Sequence, residues 1–340
     1  MPHIVTEHVA TSARHQTFYL ACGDENAPLV MFLHGWPELS LSWRHQLPAI
    51  AALGFRCIAP DMRGYGRSSN YPQHEDFAVE YIVGDMIALI DSLGAEKAVW
   101  VGHDLGAVIV WSLAQHHPDR CRAIANLCVP YIPEGFAIEH LLPYADRDLY
   151  PEDAFPAAQW DYHLFYRENF AAARASFEAN VRTTVKAMFR AGNPAGAGKP
   201  SFTSGVRARG GWYGPNGAPA PDLPRDRSVL TEADENAYTA ALEKSGFFGA
   251  DSWYMNATAN TAFAHRARAG WRLEMPVLFL HAAYDYVCET LISRLAEPMR
   301  EWCANLTEET VPSGHWMAQE RPVEVNATLA KWLTTNAPAG

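Results

Sequence analysis

At 340 residues the chain is long enough to bury a large core, in one large domain or two smaller ones. Its 49% hydrophobic and 19% charged residues are ordinary for a soluble globular protein. A formal charge of −11 argues against nucleic acid or an anionic membrane as the main partner, since both need clustered Lys and Arg. No stretch approaches the ~20 apolar residues needed to span a bilayer.

The N-terminal "MPHIVTEHVATSARHQ" holds no apolar run that would act as a secretion signal, so the sequons at Asn256, Asn305 and Asn326 read as chance matches. Cys22, Cys57, Cys121, Cys128, Cys288 and Cys303 are scattered, with no C-x-x-C, and are expected to be reduced and mostly buried. A cytoplasmic protein is the simplest fit, and the sequence leaves a homodimer open.

In chain order, "PLVMFLHG" reads as a buried strand and "HQLPAIAALG" as a helix ending at Gly. "FRCIAPDMRG" is the next strand, and "VEYIVGDMIALIDSLG" an amphipathic helix stopped at Gly94. The strand "KAVWVGHD", the helix "GAVIVWSLAQHHPDR" and the strand "CRAIANLCVP" follow. Short apolar strands alternating with helices predict an α/β fold with a mostly parallel sheet covered on both faces.

That rhythm breaks over 132–269. Helix-like segments such as "WDYHLFYRENFAAARASFEANVRTTVKAMFR" dominate there, interrupted by "GNPAGAGKP" and "YGPNGAPAPDLP", which are too rich in Gly and Pro for helix or sheet. Strand and helix then alternate again in "PVLFLHAAYDYV", "LISRLAEPMREW", "LTEETV" and "EVNATLAKWL". The organisation expected is a core in two parts, 1–131 and 270–340, with 132–269 inserted as a helical lid at the ligand-binding edge of the sheet.

The turn "VGHDLGA" has the shape of a strand-to-helix nucleophile elbow, G-x-S-x-G, with Asp104 where serine usually stands. A carboxylate there lies near the positive end of a helix, which favours the ionised form that attack requires. "HGWPE" follows the first strand, and the amides of Trp36 and Leu105 are the pair expected to hold an oxyanion. Asp285 and His315 each leave a late strand, in the order nucleophile, acid, histidine. His315 would be the base and Asp285 would orient it. "DMRGYGRS" reads as a structural loop. "AGNPAGAGKP" lacks the glycine and the Ser or Thr of a phosphate loop, and no cysteine–histidine spacing suits zinc.

Taken together, "HGWPE", "DMRGYGRSS", "GHDLGA", "DYHLFYRENF", "KSGFFGADSWYMN", "YDYV" and "SGHWMAQERP" resemble the epoxide hydrolases of the α/β-hydrolase fold, particularly the hydrolase domain of the soluble type. The resemblance implies two lid tyrosines that hydrogen-bond the epoxide oxygen, matching Tyr162 and Tyr254, with Tyr166 the neighbour open to confusion with the first. It also implies attack by Asp104, a hydroxyalkyl-ester intermediate, and hydrolysis by water that His315 activates, with no metal or organic cofactor. The substrate expected is a neutral, largely apolar epoxide, with Leu105, Val108, Phe155, Trp160, Phe165 and Trp212 as candidate pocket residues.

Rival readings remain at this point. A haloacid dehalogenase would place arginines beside the nucleophile, where Leu105 and Val108 stand. A haloalkane dehalogenase would follow the nucleophile with a tryptophan, although the Trp36 indole could serve instead. A hydrolase-fold protein that binds without catalysing is the third alternative.

Overall fold

The computed structural model describes residues 4–267 and 270–339. Its strands are β1 (Thr6–Thr11), β2 (Gln16–Cys22), β3 (Leu29–Leu33), β4 (Arg56–Pro60), β5 (Ala98–His103), β6 (Cys121–Leu127), β7 (Leu273–Ala282) and β8 (Cys303–Val311). They form one sheet in the order β1-β2-β4-β3-β5-β6-β7-β8. From β4 across to β8 every pairing is parallel, whereas β1–β2 and β2–β4 are antiparallel.

The apolar runs form strands because both faces of the sheet are covered. Met31 and Leu33 of β3 face one core, while Val30 and Phe32 between them face the other. On the first face lie α2 (Val79–Ser92) and α3 (Leu105–His116), and on the second α1 (Gln46–Ala51) and α12 (Pro322–Asn336). Burying one such side chain contributes roughly 1.5–3 kcal/mol, so neither layer can be stripped cheaply.

Two elements depart from the expectation. The β1–β2 hairpin lies outside the expected elements: β1 is an edge strand whose side chains are exposed or half-buried and give no apolar run, although the paired β2 is largely buried. The helix expected over "LISRLAEPMREW" is confined to α10 (Glu297–Trp302). Pro298 suits only the first turn of a helix, and upstream the Glu289 carboxylate accepts from the amides of Leu291, Ile292 and Ser293, holding that segment in bends.

Between β6 and β7 the described residues contain no strand. They supply α4 (Ile138–Leu141), α5 (Asp161–Glu178), α6 (Val181–Met188), α7 (Glu232–Ser245), α8 (Phe248–Ser252) and α9 (Ala257–Ala264). The long helix expected from Trp160 onward divides in two, where the Asn180 side chain accepts from the Thr183 amide and caps α6. A capping box of Thr231 and Asp234 starts α7, and Gly246 at φ 66° ends it. Tyr162, Phe177, Trp212 and Phe247 of this segment join the core on the α2–α3 face. The expected boundary at Ala269 lies outside the described residues.

The short α11 (Met317–Glu320) and the 15-residue α12 are the last two helices. Among the described residues no helix is long and apolar enough to cross a membrane. All six cysteines are free and buried.

Candidate active site

β5 ends at His103, and the next residue, Asp104, takes φ 51° and ψ −125° before α3 begins. That backbone is strained for any residue with a side chain, and it turns the carboxylate out at the C-terminal edge of the sheet. The flanking glycines allow the turn. A Cβ on Gly106 would overlap the carbonyls of Leu33 and His34, and one on Gly102 would meet Ala107 and the Asn126 side chain. Gly35 is needed for the same reason, because a Cβ there would strike the Asp104 carboxylate and the Leu105 amide.

Around this carboxylate the structure assembles the residues named from sequence. The Trp36 amide donates to Asp104 Oδ1 at 2.7 Å. Leu105 opens α3, so its amide belongs to the first turn, which has no acceptor within the helix. His315 Nε2 lies 3.4 Å from Asp104 Oδ2, and its Nδ1 donates to Asp285 Oδ2 at 2.7 Å. Asp285 is buried, and its other oxygen accepts from the amides of Val287 and Cys288. The two loops are tied to each other by the Tyr284 amide donating to the Ser313 carbonyl.

The charges follow from these partners. Burial opposes ionisation of Asp104, but the His315 hydrogen bond and charge, the charge of His103 and the Trp36 amide outweigh it and hold its pKa below the usual value. Burial likewise opposes a charge on His315, yet Asp285 and Asp104 raise its pKa well above 6.5. At rest the site is therefore an ion pair, Asp104 carboxylate against His315 imidazolium.

A cavity of about 210 Å³ joins Asp104, His315, Tyr162, Tyr254, Trp36 and Trp212. Tyr162 sits in the first turn of α5 and Tyr254 in the turn Trp253–Met255 after α8, with ring centroids 5.5 Å apart. Among the described residues neither phenol oxygen has a hydrogen-bond partner, and burial raises both pKa values well above 10, so both remain protonated donors. Tyr166, one helical turn beyond Tyr162, is different: its hydroxyl donates to Asp251 Oδ1 at 3.0 Å.

Of the aromatics expected in the pocket, Trp212 lines this cavity, while Leu105 and Val108 line a smaller one beside it. Phe155, Trp160 and Phe165 line neither. Trp160 and Phe165 are buried within the inserted segment, and Phe155 packs edge-on against Tyr150. Large apolar rings are buried wherever a core exists, so composition alone does not assign them to the pocket.

Three groups were given no role from sequence. Asp251 accepts from the Trp36 indole at 2.9 Å as well as from Tyr166, and burial pushes its pKa up to about 8. Its signal is a lone acid inside the largely apolar "FFGADSWYM". Glu38 and His103, both buried, form the second and third. His103 Nδ1 meets Glu38 Oε2 at 2.6 Å and its Nε2 meets the His315 carbonyl at 2.7 Å. Two acceptors require two N–H donors, so His103 is an imidazolium. Burial opposes that charge, but Glu38 raises the pKa well above 6.5. Glu38 also accepts from the Gly35 amide and the Gln319 side chain, linking the loop after β3 to the elbow and to the His315 loop.

"DMRGYGRS" does serve as a brace. Asp61 accepts from the Ser40 amide and hydroxyl and from the Arg67 amide. Ligand atoms of His103, Cys128 and His315 lie within 4.8 Å of one another, a grouping no sequence spacing revealed. These donors are already committed: His103 as described, and Cys128 Sγ to the His315 carbonyl at 3.3 Å.

Comparison with known proteins agrees with this geometry. A family model described as alpha/beta hydrolase fold matches residues 28–322. The chain is 34% identical over 316 residues to bifunctional epoxide hydrolase 2 of Sus scrofa, covering 92% of this chain and 52% of that protein, so it spans about half the length of that relative. It is 34% identical over 326 residues to epoxide hydrolase A of Mycobacterium tuberculosis, covering 92% of each. The crystal structure of epoxide hydrolase A from Mycobacterium thermoresistibile superposes with a TM-score of 0.79 at 32% identity, covering 97% of this chain and 98% of that one. The chain belongs to the alpha/beta hydrolase fold family and, within it, to the epoxide hydrolases.

Proposed function

We propose that this protein opens a neutral, largely apolar epoxide to a vicinal diol through an ester on Asp104, with 132–269 acting as a lid over the site. The observation that carries this reading is one cavity shared by an ionised elbow carboxylate and two phenols that have no hydrogen-bond partner among the described residues. Epoxide opening is displacement at saturated carbon, and its poor alkoxide leaving group needs hydrogen bonding or protonation.

Asp104 attacks one epoxide carbon, the carbon–oxygen bond breaks, and Tyr162 and Tyr254 stabilise and protonate the oxygen. A phenol that gives up its proton takes one back from water. Esterification removes the negative charge facing His315 Nε2, which lowers the histidine's hold on its proton. That proton passes to the hydroxide left when water reprotonated the phenol, and the neutral imidazole is free to act as base. His315, oriented by Asp285, then takes a proton from water that attacks the ester carbonyl, while the amides of Trp36 and Leu105 stabilise the oxyanion. Collapse of this adduct breaks the ester C–O bond, the departing oxygen leaves protonated as diol, and Asp104 and His315 return to carboxylate and imidazolium. A serine at the elbow would form an ether that this water could not cleave; a carboxylate supplies its own carbonyl.

The dehalogenase reading is disfavoured by the Trp36 indole, whose N–H is committed to Asp251 rather than open to a halide. Two experiments test the proposal. In a single turnover in heavy-oxygen water, the label should enter Asp104 before it appears in diol; direct labelling of the diol would rule out the ester route. Diol formation from styrene oxide without halide release from haloalkanes would separate hydrolase from dehalogenase.

A further inference from the structure

His163 follows Tyr162 on α5 and packs against both candidate acid tyrosines, its ring centroid 4.6 Å from that of Tyr162 and 5.3 Å from that of Tyr254. It is 5% exposed, and its Nε2 is sealed from solvent without a hydrogen-bond partner. Among the described residues no protein group hydrogen-bonds either ring nitrogen. A buried imidazole left in that state is unfavourable unless something from outside the protein completes it.

The ring lines a second cavity, of about 40 Å³, shared with Leu105, Val108, Ser112, Phe136 and Tyr254. Tyr254 is in the wall of this cavity and of the larger one, and Leu105 directly follows Asp104, so the small cavity adjoins the reacting centre. Its volume exceeds the ~10–15 Å³ that one water needs, leaving room for a small polar substituent but not for a ring. Its other walls are mostly apolar. The Ser112 hydroxyl, among the described residues, also has no hydrogen-bond partner.

We propose that His163 is a specificity residue, and that the preferred substrate is an epoxy alcohol whose short, uncharged hydroxyl-bearing arm occupies this cavity and hydrogen-bonds the imidazole. The proposal rests on the epoxide hydrolase reading and narrows it. A neutral imidazole has one N–H and one lone pair, and a hydroxyl both donates and accepts, so the two are complementary. Burial, with Arg167 nearby, pushes the His163 pKa down to about 3, which keeps the ring uncharged and gives no attraction for a carboxylate arm. The bulkier arm then lies in the larger cavity against Trp36 and Trp212.

The test compares two epoxides with one skeleton. Each carries a cyclohexyl ring on one epoxide carbon; the other carbon bears methyl in the first and hydroxymethyl in the second. Wild-type enzyme should favour the hydroxymethyl compound by roughly tenfold or more in kcat/KM, the scale of one net hydrogen bond. His163→Leu should abolish the preference and His163→Gln, which keeps a donor and an acceptor, should restore most of it. An equal ratio in wild type and His163→Leu would overturn the proposal, as expected if only a trapped water completes the imidazole.

Calorimetric binding of the corresponding triol and diol products to wild-type enzyme reads the same preference without turnover or a variant. Tighter binding of the triol supports the His163 site, and equal binding overturns it. Absence of turnover with both epoxides would instead count against the hydrolase reading.

Discussion

The ring of Tyr166 lies flat on that of Tyr254, centroids 4.8 Å apart and planes within 6°. One phenol of this stack lines the cavity, while the other donates its hydroxyl to Asp251. The stack therefore separates two tyrosines that the sequence alone left confusable, Tyr162 and Tyr166. Replacing Tyr162 or Tyr254 by Phe should slow single-turnover alkylation by about 10²-fold each, the usual effect of losing one donor to a developing oxyanion. Tyr166→Phe should change that rate by less than ~10-fold and act mainly on stability, because its hydroxyl already has a partner. Equal losses at Tyr162 and Tyr166 would contradict the assignment.

The resting ion pair sets the pH dependence. Asp104 is held below its ordinary 3.8, and Tyr162 and Tyr254 above their ordinary 10.0, so kcat/KM should be level from about pH 5 to 9 if alkylation limits it. Ester hydrolysis instead needs His315 without its proton, so kcat should fall on the acid side while kcat/KM does not. Stopped-flow rates of the two steps across pH check this directly. His315→Gln should still alkylate, leaving an Asp104 adduct visible by mass spectrometry.

Asp251 should cost the protein stability as pH rises. Its folded pKa of about 8 exceeds that of an unfolded Asp, so between ~4 and about 8 the native state holds a proton that the unfolded state has lost. Stability should therefore decline by about 1.4 kcal/mol per pH unit across that window and level off above it. Asp251→Asn keeps an oxygen to accept from Trp36 and Tyr166 and removes this dependence. Denaturant melts of wild type and variant at pH 5 and 8.5 should diverge, with the variant gaining at the higher pH.

Glu38 and His103 form a buried ion pair, and removing one partner leaves the other uncompensated. Glu38→Gln should destabilise the fold by ~3 kcal/mol near neutral pH. His103 has a raised folded pKa, so the pair's contribution is full below 6.5 and lost as pH rises through the raised value. The variant's deficit should accordingly shrink at high pH, which calorimetric Tm values across pH would measure.

Strands β3 to β7 were legible because a strand buried on both faces reads as an apolar run; β8, whose side chains are mostly exposed, was legible only from the strand–helix alternation around it. Asp104, Asp285 and His315 were legible for a related reason: each follows a strand, and chain order then carried the expectation. β1 was not, because an edge strand with exposed side chains lacks the apolar signal. Asp251 and His163 were also hidden. Asp251 depends on partners brought together by the fold, such as Trp36, 215 positions away, and His163 on being buried against Tyr162 and Tyr254 with no such partner among the described residues. Phe155, Trp160 and Phe165 illustrate the same limit, since hydrophobicity predicts burial but not which buried space a ring fills.

The parallel pairing of β7 with β6, across an interval of more than a hundred residues, has a consequence for biogenesis. Asp104 is synthesised long before Asp285 and His315. A nascent chain that has emerged only through the inserted segment carries a potential nucleophile but neither the base nor its orienting acid, and any ester it formed would have no histidine to release it. With the roles proposed for Asp104, Asp285 and His315, complete turnover requires the last two strands to dock, coupling catalytic competence to the end of folding.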